Sequence, residues 1–115
     1  MKRNVALYLK DIVENMDRAE RFIKGMSCEY FARDEKTGFA VIRCIEIMGE
    51  AAKCISEDTR KKYPEIPWRD IAGMRDKVIH FYFGVNLTKV WAVVKEDIPH
   101  IRPLLLKALK DLQGN

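Results

Sequence analysis

Apolar residues recur every three or four positions along almost the whole chain, and this spacing constrains the fold more than any other feature. An α-helix completes a turn in 3.6 residues, so such spacing places one apolar stripe on each helix. The N-terminal stripe comprises Val5, Leu9, Ile12, Met16, Ala19, Ile23 and Met26. Gly25 and Ser27 mark its end. The pattern predicts an all-α protein in which each helix buries one face.

The second predicted helix has a wider apolar surface than the first. One face carries Val41, Cys44, Ile45, Met48, Ala52 and Ile55. Ile42, Ile47 and Ala51 extend this stripe, which indicates a helix buried on two sides. Gly49 has no side chain and would let a neighbouring helix approach closely. The segment CEYFARDEK, residues 28–36, is interpreted as a connector between the first two helices.

Two prolines in the segment KKYPEIPWRD separate the second helix from a third. Pro67 suits the first turn of a helix, because a backbone N–H at that position has no intrahelical partner. The apolar residues of the third helix are Trp68, Ile71, Ala72, Val78 and Ile79. Gly84 is predicted to stop this helix, and Asn86 is predicted to cap the next one. Trp68 is expected in the core.

The last segment keeps its helical spacing almost to the C-terminus. Its apolar residues are Leu87, Val90, Trp91, Val94, Ile98, Ile101, Leu105, Ala108 and Leu112. Pro99 is expected to kink this helix or to split it in two. The sequence therefore predicts a single domain, residues 1–115, folded as an up-and-down bundle of four long helices, with the last divided if Pro99 breaks it.

Composition and charge exclude several classes of protein. With 48% hydrophobic and 33% charged residues, the chain has a globular rather than a disordered composition. Its net charge of +4 is compatible with an anionic partner but does not identify one. The three cysteines, Cys28, Cys44 and Cys54, lack CxxC spacing. An odd count without that spacing argues against a disulfide framework or a zinc site and predicts buried free thiols.

The sequence also gives an expectation about location. The N-terminal segment MKRNVALYLKDIVENM has charges inside its apolar stretch, unlike a signal peptide. The longest stretch without a charged residue runs from Val78 to Thr88, too short to span a bilayer. A soluble, cytoplasmic protein without a membrane association is expected.

The segment RDKVIHFYFGVN contains an arginine where the helical pattern predicts a core-facing position. Arg75 falls between Ile71 and Val78 on the apolar face of the predicted third helix. A buried guanidinium is costly unless it is paired. Either a carboxylate meets Arg75, or this face lines a cleft or a subunit interface.

Three further polar residues follow Arg75 in this segment. On a helix, Asp76 and His80 are four residues apart and would share a face, so the carboxylate could orient the imidazole and favour its protonated form. Tyr82 would return to the face of Arg75 about 10 Å away. On spacing alone, capping and ordinary ion pairing are the more common explanation for such residues. The second histidine, His100, starts a helix beside a proline and has a weaker claim to a function.

At RDKVIHFY the sequence resembles the R-x-x-x-x-H motif of HEPN-domain ribonucleases, and its extension R-x-x-x-x-H-x-Y is similar to that of HepT toxins. The segments VIRCIEIMGEAAKCI, YPEIPWRDIAGMRD, HFYFGVNLTKVW and DIPHIRPLL occur in the order expected of HepT-like proteins, so the resemblance covers nearly the whole chain. It implies a homodimeric helical bundle whose motif lines a cleft between subunits.

The resemblance also implies functional roles. Arg75 and His80 correspond to the catalytic pair of an RNA-cleaving enzyme that needs no metal or other cofactor, and Asp76 fills the supporting polar position. Tyr82 corresponds to the tyrosine on which an MNT-type nucleotidyltransferase antitoxin places AMP. The chain would then be the toxin of a type II toxin–antitoxin system, with RNA as substrate and the antitoxin as partner.

Two other functions remain open from the sequence. The chain could be a non-catalytic nucleotide-binding or adaptor subunit of a nucleotidyltransferase complex, which the modest net charge of +4 would suit. It could also be a helical dimer in which the motif only packs. RNA cleavage that survives a chelator and needs His80 favours the toxin, whereas a melting temperature lowered by Arg75→Ala favours the packing role.

Overall fold

The chain folds mainly into helices. The computed structural model describes the backbone of residues 4–80 and 84–114 and the side chains of residues 4–79 and 86–114. The elements in chain order are α1 (Val5–Phe22), α2 (Cys28–Arg33), α3 (Glu35–Lys53), α4 (Glu57–Lys62), α5 (Trp68–Ala72), α6 (Met74–Val78), β1 (Ile79–His80), β2 (Gly84–Val85), α7 (Leu87–Ala92), a π-helical turn (Val93–Asp97) and α8 (Ile98–Gln113).

The core lies between α1, α3 and α8, which are the three long helices. The predicted stripes of α1 and α3 face each other, and Leu9, Ile12, Ile45 and Met48 are fully buried. α8 packs on α1, where Arg102 forms ion pairs with Asp17 and Glu20. Over the part of the chain that the structure describes, no helix has the length and apolar character needed to cross a membrane.

The segment predicted to be a connector contains a helix. Ser27 accepts a hydrogen bond from the backbone N–H of Tyr30, which caps α2 at its first turn. Phe31 is fully buried and packs against Trp91 of α7, with ring centroids 5.5 Å apart. Asp34 then caps α3 by accepting hydrogen bonds from the backbone N–H and the hydroxyl of Thr37, and these bonds lower the pKa of its carboxyl. The connector prediction is therefore wrong for residues 28–33.

The third predicted helix is not a single helix. It is interrupted at Gly73, between α5 and α6, and it ends at Val78 rather than at Gly84. Ile79 and His80 then pair antiparallel with Val85 and Gly84. The helix stops because residue 79 adopts extended backbone angles, so its backbone joins the β pair instead of continuing the helix.

Three local predictions for this half of the chain are confirmed. Gly49 lets α5 approach α3, since a Cβ atom at Gly49 would lie 3.2 Å from the carbonyl oxygen of Ala72. Asn86 caps α7 by accepting a hydrogen bond from the backbone N–H of Lys89. Trp68 is buried and donates its indole N–H to the carbonyl oxygen of Tyr63.

The last predicted helix is divided, as the proline predicts. α7 passes into the π-helical turn at Val93, and α8 begins at Ile98 with Pro99 in its first turn. Pro99 has no backbone N–H to donate to the preceding turn of the helix. The irregular hydrogen bonding therefore lies on the N-terminal side of Pro99. Pro103 lies farther along, inside α8.

The cysteines differ in their surroundings. Cys44 is buried, and its burial raises the pKa of its thiol. Cys28 is partly buried and Cys54 is exposed, so the prediction of buried free thiols holds fully only for Cys44.

A hydrogen bond between Tyr63 and Asp111 joins the end of α4 to α8 and makes stability sensitive to high pH. The phenol donates to the carboxylate, and this bond raises the pKa of Tyr63 to about 12 from an ordinary value of 10.0. A raised folded pKa stabilises the protein below pH 10, and that contribution disappears as the pH rises towards 12. The free energy of unfolding is expected to fall over this range.

The measurement is urea unfolding of the wild type and of Tyr63→Phe at several values between pH 9 and 12. Lysine titration affects both proteins, so the difference between them isolates Tyr63. The wild-type advantage should shrink as the pH rises, and an advantage that is constant with pH would contradict the assignment.

Candidate functional site

Arg75 lies on the surface of the single chain rather than in its core. Its side chain is 50% exposed, which corrects the prediction of a core-facing position. The helical pattern failed here because Met74, rather than Arg75, takes the buried position between Ile71 and Val78. The structure shows one of the two alternatives left open by the sequence, since a carboxylate meets the guanidinium, and a subunit interface at this face stays a prediction.

Two carboxylates hold the Arg75 guanidinium. The Nε atom donates to Oε2 of Glu46 on α3 over 3.3 Å, and Nη1 donates to Oδ1 of the adjacent Asp76, also over 3.3 Å. Arg43, one turn before Glu46 on α3, lies 3.7 Å from the other carboxylate oxygen of Glu46. These four residues form a chain of alternating charge in which two positive and two negative groups balance.

Two members of this cluster, Arg43 and Glu46, were missed by the sequence analysis. Glu46 is 29 residues away from Arg75 in the chain, so no local spacing connects them. A signal was available, because Glu46 lies three residues before Gly49 and therefore on the same face of α3. That face is the one on which α5 and α6 pack in the structure.

The structure brings together only part of the predicted motif. Asp76 contacts Arg75 and is 78% exposed. The proposed sharing of a helix face by Asp76 and His80 is wrong, because α6 ends at Val78 and the backbone of His80 pairs with Gly84. The side chain of His80 and the whole of Tyr82 lie outside the described residues, so their predicted roles stay predictions.

A cleft of about 720 Å³ lies on another side of α6, between α5, α6, the π-helical turn and α8. Lys77 of α6 crosses it to Asp97, with 3.1 Å between Nζ and Oδ2. His100 also lines it, whereas Arg75 does not. The charged residues of its lining are Glu65, Arg69, Asp70, Lys77, Glu96 and Asp97. Acidic groups outnumber basic ones, which disfavours binding of a polyanion such as RNA.

Comparison with known proteins identifies the family. The family model described as "Ribonuclease HepT-like" matches residues 12–108. The chain is 51% identical over 102 residues to "Probable ribonuclease HepT" of Thermococcus cleftensis, covering 89% of this chain and 93% of that protein. It is 46% identical over 113 residues to "Putative RNase MJ1216" of Methanocaldococcus jannaschii, covering 98% of this chain and 93% of that protein.

No solved structure matches the chain. The family match and these relatives span most of the chain and most of each relative, including the segment that contains Arg75. The chain belongs to the HepT-like family of ribonucleases.

Proposed function

We propose that the protein is a metal-independent endoribonuclease that acts through Arg75 and His80. The observation that carries the proposal is the position of Arg75, whose guanidinium is half exposed and is held at the surface by carboxylates. An arginine that is held at the surface by hydrogen bonds can bind a phosphate without a change in the protein core. Membership of a ribonuclease family supplies the substrate class, which is RNA.

The chemistry needs an acid, a base and a cation. A base removes the proton of a ribose 2′-OH, and the 2′-oxygen attacks the adjacent phosphorus. The bond from phosphorus to the 5′-oxygen then breaks, and an acid protonates that oxygen. The products are a 2′,3′-cyclic phosphate and a free 5′-OH. Histidine suits the proton transfers because its pKa lies near neutrality, and arginine suits the negative charge of the pentacoordinate intermediate.

A homodimer would supply the second proton-transfer group. Each chain contributes one histidine of the motif, whereas the reaction needs both a base and an acid. A twofold axis beside Arg75 would place two histidines and two arginines in one cleft, so that the roles could be divided between subunits. The half exposure of Arg75 in the single chain supports a site that a second copy completes.

Tyr82 has a regulatory role in this proposal, within a type II toxin–antitoxin system. A nucleotidyltransferase antitoxin would transfer AMP from ATP to the Tyr82 hydroxyl, forming a phosphodiester and releasing pyrophosphate. The AMP group would add bulk and negative charge near the arginine and keep RNA from the site. The match of Tyr82 to the final position of the R-x-x-x-x-H-x-Y motif supports this role.

A second candidate is a non-catalytic nucleotide-binding or adaptor subunit of a nucleotidyltransferase complex. The observation that favours it is the balanced charge of the cluster around Arg75, where Glu46 and Asp76 offset two arginines. A site without excess positive charge attracts polyanionic RNA weakly. This candidate predicts nucleotide or protein binding without cleavage of RNA.

The proposal is tested by incubating the purified protein with transfer RNA and total RNA in EDTA, beside His80→Ala. The wild type is expected to cleave, and the variant is expected to lose about 10³-fold in rate, as for removal of a general acid or base. Cleavage products should carry cyclic phosphate and 5′-OH ends. His100→Ala is the matched control, since His100 lines the separate acidic cleft.

Three results would contradict the proposal. Cleavage that requires added Mg²⁺ would exclude the metal-independent mechanism, and equal rates for wild type and His80→Ala would exclude the motif. A wild-type protein without activity, with a mass showing no AMP, would favour the adaptor. A mass raised by one AMP would first require removal of that group with a phosphodiesterase, after which activity is expected to appear.

A further inference from the structure

We propose that Glu46 is a positioning residue that orients Arg75 for phosphate binding. This inference rests on the proposed function and adds to it a residue outside the R-x-x-x-x-H segment. Glu46 Oε2 accepts the Nε–H of Arg75 over 3.3 Å, from a different helix. The Glu46 side chain is 29% exposed, against 50% for Arg75 and 78% for Asp76, so Glu46 is the most buried of the three.

Arg75 needs an external anchor because its own helix supplies little restraint. α6 has five residues, and its N-cap residue, Gly73, makes no side-chain capping hydrogen bond. Arginine also has one of the largest rotamer entropies among side chains, so an unheld guanidinium would occupy many positions. Its other carboxylate partner, Asp76, is the adjacent residue on the same short helix and is 78% exposed. Asp76 therefore cannot fix Arg75 relative to the rest of the fold.

α3 provides the fixed support that α6 lacks. It is 19 residues long and belongs to the buried core. Gly49, one turn after Glu46, leaves room for the backbone carbonyl of Ala72. Ala72 is three residues before Arg75. The two helical segments therefore meet α3 at two adjacent points, a backbone contact at Gly49 and an ion pair at Glu46. Two contacts restrain both the position and the direction of the arginine, which one contact would not do.

Arg43 restrains the carboxylate itself. It lies 3.7 Å from Oε1 of Glu46, while Arg75 is bonded to Oε2, so each carboxylate oxygen faces one guanidinium. The bonds from Arg75 to Glu46 and Asp76 use two of the five N–H donors of the guanidinium. They also fix its plane, which sets the direction in which the remaining donors point. A phosphate would thus meet guanidinium N–H donors whose direction is already fixed.

The kinetic experiment compares Glu46→Ala and Glu46→Gln with the wild type. Displacing a positioned group by about 1 Å can cost about 10²-fold in rate, and we expect that loss in kcat for Glu46→Ala, with KM changed by less than about threefold. Glutamine keeps an oxygen that can accept the Nε–H, so Glu46→Gln should lose less than about tenfold. Glu50→Ala is the matched control, since Glu50 is exposed on the same helix and lines a shallow pocket with Tyr8 and Cys54.

A second experiment measures the position of Arg75 without reference to activity. The Nε–H resonance of Arg75 is identified in a ¹⁵N correlation spectrum by its absence in Arg75→Lys. In Glu46→Ala this resonance should shift and its heteronuclear NOE should fall, whereas in Glu50→Ala both should match the wild type. An unchanged resonance in Glu46→Ala would overturn the inference, as would a kcat equal to that of Glu50→Ala or a loss confined to KM.

The two proposals fail in different ways. Absence of RNA cleavage by AMP-free wild type refutes the proposed function, while the NMR experiment still decides whether Glu46 orders Arg75. Full cleavage by Glu46→Ala refutes the positioning role and leaves the ribonuclease proposal standing. A melting temperature lowered far enough to unfold Glu46→Ala at the assay temperature would assign Glu46 to stability and would also overturn the inference.

Discussion

Replacing Arg75 by alanine is expected to lower kcat for RNA cleavage about 10³-fold, the loss seen when a preoriented donor to a developing negative charge is removed. The fold should persist, because the side chain is half exposed and its ion pairs are at the surface, where each contributes about 0–1 kcal/mol. Single-turnover cleavage of a defined RNA in EDTA, with circular dichroism and a melting curve on the same sample, measures both quantities.

Two variants sharpen this result. Arg75→Lys keeps the charge but loses the planar fork, so it should recover only part of the rate. Arg69→Ala removes an exposed arginine from α5, beside the acidic cleft, and should cleave RNA at nearly the wild-type rate. If Arg75→Ala kept its activity and only melted earlier, the arginine would be a packing residue. Equal losses in Arg69→Ala and Arg75→Ala would indicate general attraction of RNA by surface charge.

Replacing Phe31 by alanine should destabilise the protein by about 3–5 kcal/mol, the usual cost of removing a buried aromatic ring. Phe31 is fully buried and is the ring through which α2 contacts Trp91 of α7. Domains of this size are commonly stable by about 5–15 kcal/mol, so the loss would be a large fraction of the total. Urea denaturation followed by tryptophan fluorescence, together with far-UV circular dichroism, gives the change in free energy of unfolding.

The adjacent residue provides the control for Phe31. Tyr30 is 61% exposed on the same six-residue helix, and Tyr30→Ala should change stability by no more than about 0.5 kcal/mol. Similar losses in both variants would mean that helix propensity, rather than burial of the ring, determines the effect. A small loss in Phe31→Ala would show that α2 is dispensable for the fold.

The long helices were predictable because their apolar stripes are long. α1 and α3 each span about five turns, and over that length a period of 3.6 residues is distinct from chance. α2 escaped prediction because it has six residues and only Phe31 is buried, so no period could form. Its one local signal was Ser27, a residue that commonly caps helices.

The interruption at Gly73 and the β pair are harder to predict from the sequence than the long helices. α5 and α6 both pack against α3, so their buried residues continue at nearly helical spacing across the break. The strands that pair His80 with Gly84 have two residues each, too few for the alternating pattern of a strand to appear in the sequence. The partnership of Arg75 with Asp76 was within reach as a neighbouring pair, whereas that with Glu46 required the packing of α6 on α3.

The π-helical turn between α7 and α8 sets the rotation of α8 about its own axis. A π turn holds about one residue more than an α turn, and each residue of an α-helix advances the side-chain direction by about 100°. Val93 and Val94 are consecutive and both buried, as expected where the stripe changes its angle. The turn therefore determines which side of α8 meets α1, including the angle at which Arg102 reaches its two carboxylates. The length of this segment matters more than the identity of its residues, since losing one residue would rotate every side chain that follows it by about 100°.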